Sequence, residues 1–183
     1  MTANRVRIIG GEWRRRVLRF APRPGLRPTP DRVRETLFNW LGQDLSGKRC
    51  LDLFAGSGAL GLEAASRGAA RVTLVERDRA AHAALAANAR LLGGNSLEVK
   101  SADALEFLRT DAGRYDIVFL DPPFDSDLLG RALALLPPRL AEGAFVYVES
   151  GQAVGTAPGW EVWRSGRAGA VSYQLLRRAD HDH

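Results

Sequence analysis

The chain has 183 residues, 45% of them hydrophobic, enough for one substantial domain with an ordinary core, which excludes global disorder. Its single cysteine excludes an intramolecular disulfide and a thiolate metal cluster, no apolar run reaches membrane-spanning length, and the N-terminus lacks a signal-peptide core, so a soluble cytoplasmic protein with no metal is expected. The net charge of +5 is unevenly spread: residues 1–34 hold ten arginines against Glu12 and Asp31, whereas the rest of the chain carries more acids than bases. A basic end joined to a mildly acidic body points to a polyanion-docking surface beside a site that accepts a cation.

Residues 5–9 and 16–20 have strand character on either side of Gly10-Gly11, predicting a basic hairpin with Arg14, Arg15 and Arg16 near its tip. The segment APRPGLRPTP, residues 21–30, is too proline-rich for helix or central strand and reads as an extended loop. Thr29 then reads as an N-cap with Pro30 at the first helical position. The helix that follows, DRVRETLFNWL, sets Val33, Leu37, Trp40 and Leu41 on one face and leaves Arg32 and Arg34 off it.

From Arg49 onward strand and helix alternate, the pattern of a doubly wound parallel sheet. Strands are expected at 49–53, 71–76, 97–103, 115–120 and 144–149, with helices at 58–67, 78–92, 104–109 and 127–136. Segments 160–164 and 170–177 alternate around a glycine-containing turn and read as an antiparallel pair closing the sheet. The expected organisation is a basic hairpin and loop over 1–28 that docks RNA, a main domain over 29–178 and a frayed tail over 179–183.

Two stretches carry the chemistry. In RCLDLFAGSGALG, residues 49–61, a short apolar strand interrupted by Asp52 runs into Gly56, Gly58 and Gly61 at the start of a helix. Small residues there let a ligand lie against backbone, and Gly56-Ser57-Gly58-Ala59-Leu60-Gly61 satisfies the dinucleotide pattern G-x-G-x-x-G, so a nucleoside cofactor is indicated and its kind left open. In DPPF, residues 121–124, the fourth strand ends in a carboxylate, two stiffening prolines and an aromatic ring. That corner suits a planar base with an exocyclic amine: Asp121 and the Pro122 carbonyl each accept one N–H while Phe124 stacks on the ring. An aromatic amine attacks poorly because its lone pair is delocalised, and two acceptors on its hydrogens aim that lone pair at an electrophile. Asp121 is also placed to take the released proton. Asp52, Glu76, Asp103 and Asp121 all fall at strand exits, which favours a cationic cofactor over a pyrophosphate.

LDLFAGSGALGLEA, the acidic end of the second strand and FLDPPF together resemble the S-adenosylmethionine-dependent amino-methyltransferases. RIIGGEWRRRVL, GLRPTPDRVRETLFNWL, FAGSGALGLEAASRGA and VYVES resemble more narrowly the 16S rRNA (guanine(966)-N(2))-methyltransferases, over most of the chain from Arg5 to Arg177. The resemblance implies a class I, Rossmann-like α/β fold with a doubly wound, mostly parallel seven-stranded sheet. It implies transfer of a methyl group from S-adenosylmethionine to the N2 amine of a guanine in 16S ribosomal RNA, within an assembling small subunit, by a monomer. By the same resemblance Phe54, Ala55, Gly56 and Gly58 surround the methionine portion, Asp52 helps hold its ammonium, Glu76 binds both ribose hydroxyls, and Asp103 with Ala104 reads the adenine edge. Asp121, Pro122 and Phe124 hold the guanine, and Arg14, Arg15, Arg16, Arg27, Arg32 and Arg34 grip phosphates. Arg77 stands where such families commonly carry an apolar residue over the adenine.

Three other readings compete. A DNA adenine or cytosine amino-methyltransferase uses the same four-residue clamp, but the chain has no room for a sizeable target-recognition domain. A nicotinamide-dependent oxidoreductase explains the glycines and neither DPPF nor the arginine leader. A non-catalytic RNA-binding factor leaves Asp52, Glu76 and Asp121 without a purpose. Cys50, Trp160 and Trp163 read as packing residues, and Trp13 as open between packing and RNA contact.

Overall fold

The computed structural model describes residues 5–20, 29–123, 127–154 and 157–179. Its centre is a seven-stranded sheet built from β3 (Arg49–Asp52), β4 (Arg71–Glu76), β5 (Leu97–Ser101), β6 (Tyr115–Leu120), β7 (Leu140–Ser150), β8 (Trp160–Ala168) and β9 (Val171–Arg178), in the order β5-β4-β3-β6-β7-β9-β8. The first five run parallel to one another, and β9 lies antiparallel between β7 and β8. The order reverses between β3 and β6, the two strands whose exits carry the glycine turn and DPPF. An open α/β sheet leaves its ligand crevice at such a switch point, outside the carboxyl ends of the strands.

Helices α1 (Asp31–Leu41), α2 (Ala59–Ser66) and α3 (Arg79–Leu92) cover one face, and α4 (Ala104–Thr110) and α5 (Leu128–Leu135) the other. Strand periodicity divides the core accordingly. Cys50, Val72, Leu74, Ile117 and Phe119 join the first cluster, while Leu51, Val75, Val118 and Leu120 join the second. Both faces of these strands are buried, which is why they read as continuous apolar runs. The long Gly93-terminated helix α3 behaves as its sequence predicts: Asp78 caps it by accepting from the Ala81 N–H at 2.9 Å, and Gly93 ends it at φ +69°. Strand β7 starts four residues before its expected beginning, because Leu140 already pairs with Tyr115 ahead of an irregularity in the ladder.

The leader forms β1 (Arg5–Arg7) and β2 (Val17–Arg19), paired antiparallel with Val6 opposite Leu18. Val6, Ile8, Trp13 and Leu18 are buried in the same cluster as α1, α2 and α3, so the described part of the leader shares the core of the sheet domain. Trp13 is therefore a packing residue: a Cβ on Gly94 would come within 2.8 Å of its ring. Gly11 sits at φ +79° with its α-carbon pressed on the end of α2, where a Cβ would lie 1.9 Å from the Ser66 carbonyl oxygen. Around it the Glu12 N–H donates to the Ser66 carbonyl at 2.8 Å and the Trp13 N–H to the Ser66 hydroxyl at 2.9 Å.

A buried ion cluster completes this joint. Glu63, 0% exposed, accepts from the Ile9 and Gly10 N–H groups at 2.9 Å each, from Arg34 at 3.2 Å and from Arg67 at 2.9 Å. Arg34 also donates to the carbonyls of Thr29 and Arg7, at 3.1 and 2.8 Å, and to Asp31. The expectation that Arg34 grips phosphate is corrected: the side chain is 1% exposed and committed to internal acceptors, because a buried carboxylate is tolerable only with a guanidinium and hydrogen bonds around it. The Thr29 cap is corrected too. Pro30 occupies the N-cap position and its carbonyl accepts the first helical N–H, from Arg34 at 3.0 Å, which frees the Thr29 hydroxyl to point elsewhere.

Replacing Glu63 by Ala strands two buried guanidinium groups and two leader N–H groups, so urea unfolding should show a loss of about 3–5 kcal/mol. The same change at exposed Glu12 should stay within about 0.5 kcal/mol.

Candidate active site

The glycine turn is set by two carboxylates below it. After β3 the Ala55 N–H donates to the Val75 carbonyl at 3.0 Å, and the Gly58 N–H closes back on the Ala55 carbonyl at 2.7 Å. Gly56 and Gly58 adopt φ values of +56° and +82°, and a Cβ on Gly58 would meet Leu85 at 2.4 Å. Gly61 has a different duty: a Cβ there would press on Leu74 at 2.7 Å and on Asp52 at 3.1 Å, so its absence lets α2 lie close to the sheet. Asp52 accepts the Gly61 N–H at 2.9 Å. Glu76 accepts the Gly56 N–H on one oxygen at 3.0 Å and the Asp78 N–H on the other at 2.8 Å. Both acids thus hold the turn in shape, and a carboxylate's two oxygens offer about four acceptor sites in all.

At the next exit Asp103 caps α4 by accepting the Glu106 N–H at 3.1 Å, with Ala104 buried behind it. Arg77 spans the rim between β4 and β5 and approaches Asp103 to 3.8 Å, its side chain 77% exposed. Phe54 packs at the edge of the second core cluster.

The exits of β3, β6 and β7 bring three acids together. Leu120 is in register with Val148, which sets Asp121 beside Glu149 one residue further on. The two carboxyl groups lie close enough to perturb one another, and the Thr29 hydroxyl donates to Glu149 at 3.0 Å. Asp121 is raised well above the ordinary carboxylate range, first by burial, then by the charge of Glu149 and its hydrogen bond, then by the charge of Asp52. Glu149 is raised by burial, against the pull of its hydrogen bonds. Asp52, 2% exposed, is pushed up to about 7 by burial and by the charges of Glu76 and Glu149, with the Gly61 hydrogen bond opposing. Pro122 is buried and Pro123 exposed beside them.

Neither Glu149 nor Thr29 was among the site residues expected from the sequence, where Thr29 read only as a helix cap. The signal for Glu149 was present, because it is one more acid at a strand exit, the criterion that selected Asp52, Glu76, Asp103 and Asp121. Thr29 gave no such signal, since its partner is 120 residues away.

The structure brings Asp52, Ala55, Gly56, Gly58, Glu76, Asp103, Ala104, Asp121 and Pro122 to one edge of the sheet. Arg14, Arg15, Arg16 and Arg32 are exposed on the leader and α1, with Arg5, Arg7 and Arg19 exposed on the strands beside them. Phe124 and Arg27 lie outside the described residues. Cys50 is buried inside β3, its thiol pushed up to about 12 chiefly by that burial, so it behaves as core.

With this geometry in place, comparison with known proteins is decisive. The family model described as conserved hypothetical protein 95 matches residues 6–177. The chain belongs to this family. It is 48% identical over 181 residues to ribosomal RNA small subunit methyltransferase D of Escherichia coli (strain K12), an alignment covering 96% of this chain and 91% of that one. It is 43% identical over 180 residues to the protein of the same description from Haemophilus influenzae, covering 94% and 93%. The solved structure of the Escherichia coli protein yhhF superposes with a TM-score of 0.85 at 47% identity, over 97% of this chain and 99% of that one.

An acid whose folded-state pKa lies above its unfolded value binds its proton more tightly when folded, so the stability it confers is present at low pH and is lost as pH rises through the folded value. With Asp52, Asp121 and Glu149 all raised, the protein without cofactor should lose stability between about pH 4 and pH 7, the upper bound set by Asp52. Thermal melts of Asp52→Asn, which keeps an acceptor for the Gly61 N–H, should show a visibly shallower decline. An equal slope in both proteins would mean that Asp52 is not protonated at neutral pH.

Proposed function

We propose that this protein transfers a methyl group from S-adenosylmethionine to the N2 amine of a guanine in 16S ribosomal RNA, acting in the cytoplasm on the assembling small subunit. The reading as a small-subunit rRNA methyltransferase is supported by near-full-length similarity to the methyltransferase D proteins. The single observation that carries the choice of an amine is the juxtaposition of Asp121-Pro122 with the glycine turn at the switch point of the sheet.

The residues present fit the cofactor. Asp52 is buried at the exit of β3 and its pKa is raised because its negative charge is poorly compensated, and a ligand bearing a sulfonium and an ammonium would compensate it. A pyrophosphate would add to it. Glu76 and Asp52 would border the ribose and methionine portions from the strand ends, Gly56 and Gly58 would let the ligand lie against backbone, and Asp103 with Ala104 would face the adenine. Arg77, drawn to Asp103, would cover that ring with its stem or guanidinium. The chemistry supplied by the bound cofactor is an electrophilic methyl group on sulfur.

The protein's own part is orientation. Asp121 and the Pro122 carbonyl accept the two hydrogens of the guanine amine, turn its lone pair toward the methyl group and exclude water from that line. Phe124 is assigned stacking on the base from its place in the sequence. Arg14, Arg15, Arg16 and Arg32 on the leader and α1 would bind phosphates, and Arg27 joins them by sequence alone.

Incubating subunits that lack modification with this protein and labelled cofactor, then mapping the tagged base, should identify a single guanine. Label on an adenine or cytosine, or on protein, would overturn the reading. Asp121→Ala should lower transfer by about 10²-fold or more with cofactor affinity little changed. Replacing Arg14, Arg15 and Arg16 together by Ala should weaken binding to all RNAs and reduce the salt slope by about 0.7 for each phosphate no longer neutralised.

A further inference from the structure

The Asp121–Glu149 pair is more than the methyltransferase reading requires. A clamp needs one acceptor at Asp121, yet the fold spends a second buried acid on it and ties that acid to Thr29, at the far end of the leader. Around Glu149 stand Asp121 from the exit of β6, Asp52 from β3, Tyr147 on its own strand, Tyr173 opposite it on β9 and Thr29 before α1. All of these are acidic or neutral. The Tyr147 hydroxyl is buried and makes no hydrogen bond of ordinary geometry, although the charges of Glu149 and Asp121 reach it and help to push its pKa up. The cluster thus consists of two carboxyl groups side by side at adjoining strand exits, with the Thr29 hydroxyl donating to the outer one.

Two neighbouring carboxyl groups at adjoining strand exits, one buried and one half-buried, do not both ionise; they share a proton. The Thr29 hydroxyl says who holds it: donating to Glu149 at 3.0 Å, it favours the charged form there and leaves the proton on Asp121. Asp121 is then a neutral carboxylic acid whose O–H points at Glu149 and whose carbonyl oxygen is the acceptor for the substrate.

Resting on the methyltransferase reading, we propose that Glu149, anchored by Thr29, is a positioning residue that orients Asp121 and receives, through it, the proton released by the methylated amine. When the nitrogen–methyl bond forms and the sulfur–methyl bond breaks, the nitrogen is left with one proton in excess. An N–H bond breaks and that proton goes to the Asp121 carbonyl oxygen, while the proton on the other Asp121 oxygen passes to Glu149. One proton moves from nitrogen to Glu149, the pair ends doubly protonated, and no full charge develops on Asp121 beside the base. The proton leaves to solvent after product release. Thr29 supports the step because its hydroxyl stabilises Glu149 in the charged form that accepts.

The test compares the parent with Glu149→Gln and Thr29→Val on unmodified subunits. Parent activity is measured first: its absence strikes the functional reading itself, whereas the relay is judged only from the variants. Glu149→Gln should lower kcat by about 10²-fold. It should leave the affinity for S-adenosylhomocysteine unchanged and move the acid limb of the kcat profile to higher pH, since Asp121 must then ionise alone. Thr29→Val should move the same limb in the same direction, by less. In the ligand-free protein, carboxyl carbon NMR should show Asp121 titrating in two coupled steps in the parent and in one step in Glu149→Gln. A Glu149→Gln protein with kcat within about threefold of the parent and an unmoved limb overturns the relay, that change lying far below a general acid–base contribution. So does a loss of kcat accompanied by loss of S-adenosylhomocysteine binding, which would mark Glu149 as structural. Should Glu149→Gln fail to fold, the Thr29→Val profile decides, an unmoved limb counting against the proposal.

Discussion

Glu63 has no route to water, and that constraint organises one whole side of the molecule. A carboxylate at 0% exposure needs compensating donors, and it draws them from the leader, from α1 and from the end of its own helix. Because α2 begins at the glycine turn, the same helix that leaves this loop also receives the arginine-rich leader. The exposed arginines of β1, β2 and the segment between them are thereby held at a set position relative to the loop. Their charge is available to a polyanion because Arg34 and Arg67 have already satisfied the interior.

The opposite end of the sheet works by a contrary logic. Glu63 is matched by two guanidinium groups, whereas Asp52, Asp121 and Glu149 are matched chiefly by backbone N–H groups, a hydroxyl and one another. Buried charge without a counter-ion costs stability, and the raised pKa values are the expression of that cost. A site that is strained in this way when empty is relieved by a cation. The same strain keeps a proton on Asp121 while leaving it an acceptor. Cofactor choice and proton handling thus arise from one cause, the crowding of acids at the switch point.

Thr29 links the two ends. It follows the proline-rich segment, its carbonyl accepts from Arg34 in the ion cluster and its hydroxyl donates to Glu149 in the acid cluster. These contacts account for Thr29 and Arg34 within the block GLRPTPDRVRETLFNWL, which carries the narrower family resemblance. Asp31 and Arg34 serve the cluster at Glu63, and Thr29 serves both.

Much of this was legible in the chain itself. Apolar runs of strand length, the helix cap at Asp78, glycines at Gly56, Gly58 and Gly61 and acids at four strand exits are local features, and they sufficed for the alternating fold and for the sheet edge at which the candidate site residues gather. What the chain could not disclose was partnership over long separations. Whether an arginine faces phosphate or a buried glutamate depends on what lies across the interface: Arg32 and Arg34 look alike in sequence, and only packing against Glu63 tells them apart. Trp13 beside three arginines turned inward for the same reason, because Gly94, lacking a Cβ, leaves room for its ring. The pairing of Thr29 with Glu149, and hence the second acid at the clamp, was likewise decided by tertiary structure, since hydrogen bonds between side chains so far apart in sequence exist only once the sheet has closed between them.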